Sequence, residues 1–164
     1  MTRSYISLTD NLSRIFGVVS VLLLVAAMLV ICEMIFLRYF FRSPTIWQTD
    51  FVVYSATASI FLGAPYVLLK RAHVGVDVIE ILLTGNALRA LQFAGRLLGL
   101  IFCSIMFAAS AYYVWEAVTL GWRTSSVWQI PVWIPALPMP IGFGLLCLQY
   151  LAEFLRPEGE RRES

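Results

Sequence analysis

The sequence predicts an all-α integral membrane protein of four transmembrane helices, with both termini on the same side. Three observations predict it. The first is composition: 60% of the 164 residues are hydrophobic and only 13% are charged, whereas soluble globular chains run about 45–50% apolar and about 25% charged. A soluble domain of this length would leave large apolar patches in water. Disordered chains are poor in aromatics and rich in charge, and this chain is the reverse. The second is that the apolar residues gather in four runs of membrane-crossing length, with none of the alternation an outer-membrane barrel needs. The third is an uneven distribution of the basic residues, which fixes an orientation.

The runs can be taken in order. Residues 15–37 (IFGVVSVLLLVAAMLVICEMIFL) carry one charge, Glu33, while residues 51–69, 97–115 and 131–152 carry none. A crossing needs roughly 17–25 apolar residues at about 1.5 Å each, and all four qualify. The first run exceeds a signal-peptide core and lacks a small-residue exit; Ile31 before Cys32 also argues against a lipoprotein cleavage site, so a retained helix is expected. Between the second and third runs, Asp77, Glu80 and Thr84 recur at helical spacing among Val78, Ile79, Ile81, Leu82 and Leu83. That pattern predicts a short amphipathic helix over Val76–Thr84 in the membrane interface. Gly85 would stop it and Asn86 can cap the next helix. Residues 1–155 read as one four-helix domain and 156–164 as a solvated tail.

Four spans put the N-terminus, the middle loop and the C-terminus on one side. That side holds Arg3, Arg14, Lys70, Arg71, Arg89, Arg96, Arg156, Arg161 and Arg162, nine in all, against three (Arg38, Arg42 and Arg123) on the other. The positive-inside rule then places both termini in the cytoplasm. Arg96, at the very edge of the third run, is expected to snorkel back to the cytoplasmic surface.

Several functions are excluded by what is missing. A net charge of +2 supplies no basic stripe for nucleic acid. Cys32, Cys103 and Cys147 are far apart and form no C-x-x-C or Cys/His cluster, so no metal site or disulfide framework is indicated. One histidine, His73, cannot ligate haem twice. There is no convergent acid–base set for catalysis, and no broken helix pair, acidic cluster or inverted repeat of the kind that marks a substrate or sodium site. Neither an enzyme nor a cofactor is expected.

The candidates that remain are partner and packing residues. Glu33 is the one charge inside a run. It sits about 6 Å from the outer boundary, and Arg38, about 140° around the helix, is a poor partner. Either Glu33 meets a group on another helix or chain, or it reaches the interface. Trp47, Trp115, Trp122, Trp128 and Trp133 all map to the outer face, whereas ordinary aromatic belts mark both faces. They read as a membrane-hugging loop or as a docking surface, tryptophan being enriched at binding hot spots. Ser55, Ser59 and Gly63 fall at i, i+4, i+8, and Gly95 and Gly99 form a GxxxG continued by Cys103. Such stripes permit close helix approach, within this chain or against another. Pro131, Pro135, Pro138 and Pro140 make the lead-in to the fourth span irregular near the outer surface, where water can satisfy freed carbonyls.

The stretch RYFFRSPTIWQTDFVVYSATASIFLGAPYVLLKRAHVGVDV resembles the small membrane subunit of tripartite ATP-independent periplasmic (TRAP) transporters, the DctQ-like family. The resemblance rests on an arginine ending the first helix (Arg38), W-x-x-acid opening the second (Trp47, Asp50), F-L-G within it, and basic residues followed by H-V-x-V-D (His73 to Asp77). The proline-bearing IPVWIPALPMPIGFGLLCLQYLAEF resembles the family's last helix. The family more often has glutamate at the position of Asp50; the charge is kept. The resemblance implies a small permease subunit of the bacterial inner membrane. It would scaffold a large membrane subunit that holds the substrate and ion sites, and would help dock a periplasmic substrate-binding protein that delivers an organic acid. Arg38, Trp47 and Asp50 would lie at the outer face, His73 and Asp77 at the cytoplasmic face. Glu33, Arg38, Arg42, Trp47, Asp50, Trp115, Trp122, Arg123, Trp128 and Trp133 are the interface candidates. The alternative is a self-sufficient four-helix multidrug carrier using Glu33. Against it stand the position of Glu33 near one end of its span and the fixed nine-to-three orientation.

Overall fold

The computed structural model describes residues 2–42, 44–70, 86–126 and 128–155. Helix α1 runs Thr2–Phe36 and continues as a π-helical turn, Leu37–Phe41. Helix α2 spans Trp47–Leu69 and α3 spans Asn86–Thr119. A single turn, α4 (Trp133–Ala136), leads into α5 (Pro138–Leu155). Among the described residues, four stretches are long and apolar enough to cross a membrane: Tyr5–Phe41, Trp47–Leu69, Phe93–Thr119 and Trp133–Phe154. The amphipathic segment expected at Val76–Thr84, the motif residues His73 and Asp77, and the 156–164 tail lie outside the described residues.

The helices outrun their apolar stretches because apolarity marks depth in lipid, not helix length. The 35 residues of α1 amount to about 52 Å at 1.5 Å per residue, against a hydrocarbon core of about 30 Å. Its first turns are polar, yet Thr9 and Ser13 are buried, so packing holds that part helical. In lipid there is no hydrophobic force between helices; close backbone approach and interhelical hydrogen bonds must do the joining.

Three seams show how. Helices α1 and α2 run antiparallel, with Gly17 under the Tyr66 ring, Ser20 against Gly63, and Thr49 beside Met34. The Ser20 hydroxyl donates to the Ser59 carbonyl at 2.6 Å. Helices α3 and α5 are also antiparallel: the Phe93 and Phe154 rings lie 5.8 Å apart, Gly99 faces Tyr150 and Gly144 faces Phe107. Between α2 and α5, Pro65 explains the contact. Lacking an N–H, it leaves the Phe61 carbonyl four residues earlier without its helical donor. That carbonyl lies against Gly142, where any Cβ would overlap it. The Phe61 and Phe143 rings meet alongside at 5.5 Å.

The main packing order is therefore α1–α2–α5–α3, with α1 also touching α5. Helices α2 and α5 sit inside, while α1 and α3 flank them and keep long apolar faces exposed, from Val18 to Ile35 on α1 and from Leu98 to Trp115 on α3. Since α1 is antiparallel to α2, and α3 to α5, the ends of α1 and α3 and the starts of α2 and α4 share one end of the molecule.

Candidate functional site

That shared end collects every tryptophan. Trp47 is the first residue of α2 and stacks edge-on to Phe51 at 6.3 Å. Trp115 lies exposed near the end of α3, Trp122 and Trp128 lie in the α3–α4 connection, and Trp133 opens α4. Arg38 belongs to the π-helical turn, Arg42 follows it in the left-handed region (φ 48°), and Arg123 lies in the α3–α4 connection. The helix expected to stop at Arg38 thus winds on to Phe41.

The α3–α4 connection is built, not loose. Gly121 takes φ 63°, so the Trp122 N–H can bond back to the Ala117 carbonyl at 3.1 Å. This is the six-to-one bond of a Schellman stop, which glycine adopts without the penalty a Cβ incurs. The chain then folds into a short hairpin bridged between Arg123 and Pro131. Thr124 N–H donates to the Ile130 carbonyl at 2.9 Å, and Val132 N–H to the Trp122 carbonyl at 3.0 Å. Trp122 packs edge-on to Tyr113, with ring centroids 5.9 Å apart. Trp128, at the tip, is 61% exposed. The result is a fixed backbone that holds an aromatic side chain clear of the helices.

Two acids lie toward the same end. Glu33 is on the exposed face of α1 and makes no hydrogen bond or ion pair with the described residues. Asp50, in the first turn of α2, has its Oδ2 atom buried without a donor, as does Gln48 at Oε1. An unpaired buried acceptor costs on the order of 1–3 kcal/mol.

The packing candidates divide. Ser55, Ser59 and Gly63 are enclosed within this chain, Ser59 and Gly63 against Ser20 of α1. Gly99 is filled by Tyr150, but Gly95 has nothing within 4 Å of where a Cβ would stand. Sequence reasoning missed the opposite end of the molecule. There Ser13 Oγ donates to Gln149 Oε1 at 3.0 Å, and Gln149 Nε2 donates to Asp10 Oδ1 at 3.2 Å. Arg96, expected to snorkel, reaches Glu153 on α5 at 4.0 Å. The available signal was Gln149 itself, an amide inside an apolar run.

No set of three or more His, Cys, Asp or Glu suited to a metal occurs among the described residues. No curated protein and no solved structure matches the chain. A protein-family model does, that of the tripartite ATP-independent periplasmic transporters, DctQ component, over residues 12–158. With nine-tenths of the sequence matched and four membrane-crossing helices in place, the chain belongs to the DctQ family, a family of transporter components and not of enzymes.

Proposed function

We propose that the chain is the static small subunit of a TRAP-type carrier in a bacterial inner membrane, with both termini cytoplasmic. It braces the large membrane subunit through the exposed faces of α1 and α3. At its tryptophan-bearing end it helps dock a periplasmic substrate-binding protein during ion-coupled uptake of an organic acid. His73 and Asp77 belong to the cytoplasmic side in this reading. The observation that carries it is the fixed α3–α4 hairpin, which holds Trp122, Arg123 and Trp128 outward at the end where Trp47, Trp115 and Trp133 also gather.

The physical case is one of division. A carrier that moves one part of itself needs a second part held still, and two flanking helices with apolar faces enlarge that part. A basic group of the large subunit pairs with Glu33, exposed on α1 without a partner among the described residues, or with Asp50 at the start of α2. Replacing Trp122, Arg123 and Trp128 together by alanine is expected to lower binding-protein-dependent uptake at least tenfold. Copurification with the large subunit should stay unchanged, since none of the three supports a helix seam. Unaltered uptake and unaltered capture of the binding protein would refute the docking role.

A further inference from the structure

The segment Arg38-Tyr39-Phe40-Phe41-Arg42 is not explained by packing. Tyr39 is 80% exposed and Phe40 and Phe41 are each 66% exposed, and the π-helical turn that contains them has no buried residue. A π turn winds more slowly than an α turn, at about 80° per residue. Its three consecutive aromatics therefore spread over about 160° of the helix end, where an α turn would spread them over about 200°. Their rings touch each other and Phe36, at centroid distances of 4.6 Å (Phe36–Phe40) and 5.3 Å (Tyr39–Phe40). Among the described residues their ring contacts are with each other and with Phe36. An arginine stands inside the turn and another just after it, and neither forms an ion pair or hydrogen bond with the described residues. The acids at this end, Glu33, Asp50 and Glu116, leave both unpaired.

Depth decides what this collar meets. Arg14 and Arg38 bracket the apolar part of α1, about 36 Å apart at 1.5 Å per residue. A bilayer is about 30 Å thick across its hydrocarbon and about 40–45 Å across its headgroups. When Arg14 sits at one boundary, Arg38 and Arg42 reach headgroup depth at the other, with the aromatic rings at the level where amphipathic rings settle. A guanidinium there finds phosphodiester oxygens, which match its planar fork.

The geometry points to a lipid-binding collar: Arg38 and Arg42 hold the phosphodiester of an anionic phospholipid, and Tyr39, Phe40 and Phe41 seat its acyl–glycerol region. This goes beyond the docking role, which it leaves to the α3–α4 hairpin. It concerns the chain alone, so it stands or falls without a partner subunit.

The test is native mass spectrometry of the full chain, released from a mild detergent and titrated with phosphatidylglycerol. Each basic residue at a charged membrane surface is worth about 1 kcal/mol. The double variant R38Q/R42Q is therefore expected to retain this lipid about thirtyfold more weakly. R38K/R42K, which keeps the charge but not the planar fork, should recover part of the loss. Equal retention by R38Q/R42Q overturns the proposal, and so does equal displacement of the lipid by inorganic phosphate at matched concentration, which would mark a free-anion site. For a reading independent of variant folding, phosphatidylglycerol carrying a headgroup diazirine is photocrosslinked to the unaltered chain. Label within residues 38–42 is expected, and label confined elsewhere overturns the collar. If R38Q/R42Q keeps its lipid but no longer captures the binding protein, the arginines belong to protein docking and the lipid assignment is wrong.

Discussion

At one end of the helices Gln149 bonds to both Ser13 and Asp10 and Arg96 reaches Glu153; at the other, Arg38 and Arg42 have no partner among the described residues, Trp128 stands exposed, and a carboxylate oxygen of Asp50 is buried without a donor. Both ends are rich in polar atoms. The difference lies in where their partners come from. The first end closes on itself and fixes how α1, α5 and α3 meet. The second end leaves Arg38, Arg42 and Trp128 exposed, without a hydrogen bond or ion pair among the described residues. In lipid this contrast matters more than in water, because packing and a few hydrogen bonds carry the association of helices. In the proposed role, a subunit held still against a moving neighbour needs one end whose polar groups are met within the subunit. It needs another that is structured yet unsatisfied.

The sharpest way to break the comparison is to open the closed end. Gln149 is 2% exposed; it accepts from Ser13 and donates to Asp10. In Gln149→Leu the volume is nearly kept, but the fully buried Ser13 hydroxyl loses its acceptor and Asp10 loses a donor. We expect a loss of about 2 kcal/mol, read as a lower midpoint of thermal unfolding in detergent. Part of it is recoverable because a helical serine can turn to the carbonyl four residues back. A midpoint unchanged from the native chain would mean that the three residues do not act as a clasp.

The four spans were legible in the sequence because lipid demands runs of apolar residues, and little else does. Their true ends were not, since α3 begins at Asn86 and α1 begins near Thr2, where the buried Thr9 and Ser13 and not apolarity hold the helix. The small-residue stripes told that faces approach closely, but not which faces: Ser59 and Gly63 meet Ser20, a residue no pattern singled out. The π-helical turn at Leu37–Phe41 contains neither Gly nor Pro, and a shift of hydrogen-bond register by one residue leaves no compositional mark. The Arg123–Pro131 hairpin was hidden because its two arms are only a few residues long and carry no alternation. At the candidate site the residue types and their common end were readable. The rigidity of the platform that holds them was not, as it depends on backbone bonds made by Gly121, Trp122 and Thr124.

A smaller effect tests that rigidity. Gly121 has open space where a Cβ would stand, so Gly121→Ala meets no clash and only the positive φ is penalised. The expected cost is about 1 kcal/mol, confined to the α3 stop and the hairpin after it. Global unfolding should hardly move. Amide hydrogen exchange at Trp122 and Val132 should quicken, and capture of the binding protein should weaken in step. Exchange rates equal to those of the native chain would show that the platform does not depend on the left-handed glycine.

The smallest effect has the opposite sign, and it separates the chain alone from the chain in its assembly. Gly95 and Gly99 form one GxxxG, yet Gly99 is covered by Tyr150 while Gly95 faces open space on α3. For the isolated chain, Gly95→Ala removes the entropic cost of a helical glycine and introduces no overlap. Stability should therefore rise, by at most about 1 kcal/mol. In the intact carrier the outcome turns on whether another helix uses that space. If the large subunit packs there, an added methyl group keeps its helix from closing in, and copurification falls even though the subunit itself is more stable. Thermal midpoint and copurification yield, measured on the same variant, then move in opposite directions. If both rise together, or copurification is unmoved, this stretch of α3 faces lipid, and the bracing surface has to be sought elsewhere, on α1 and the outer half of α3.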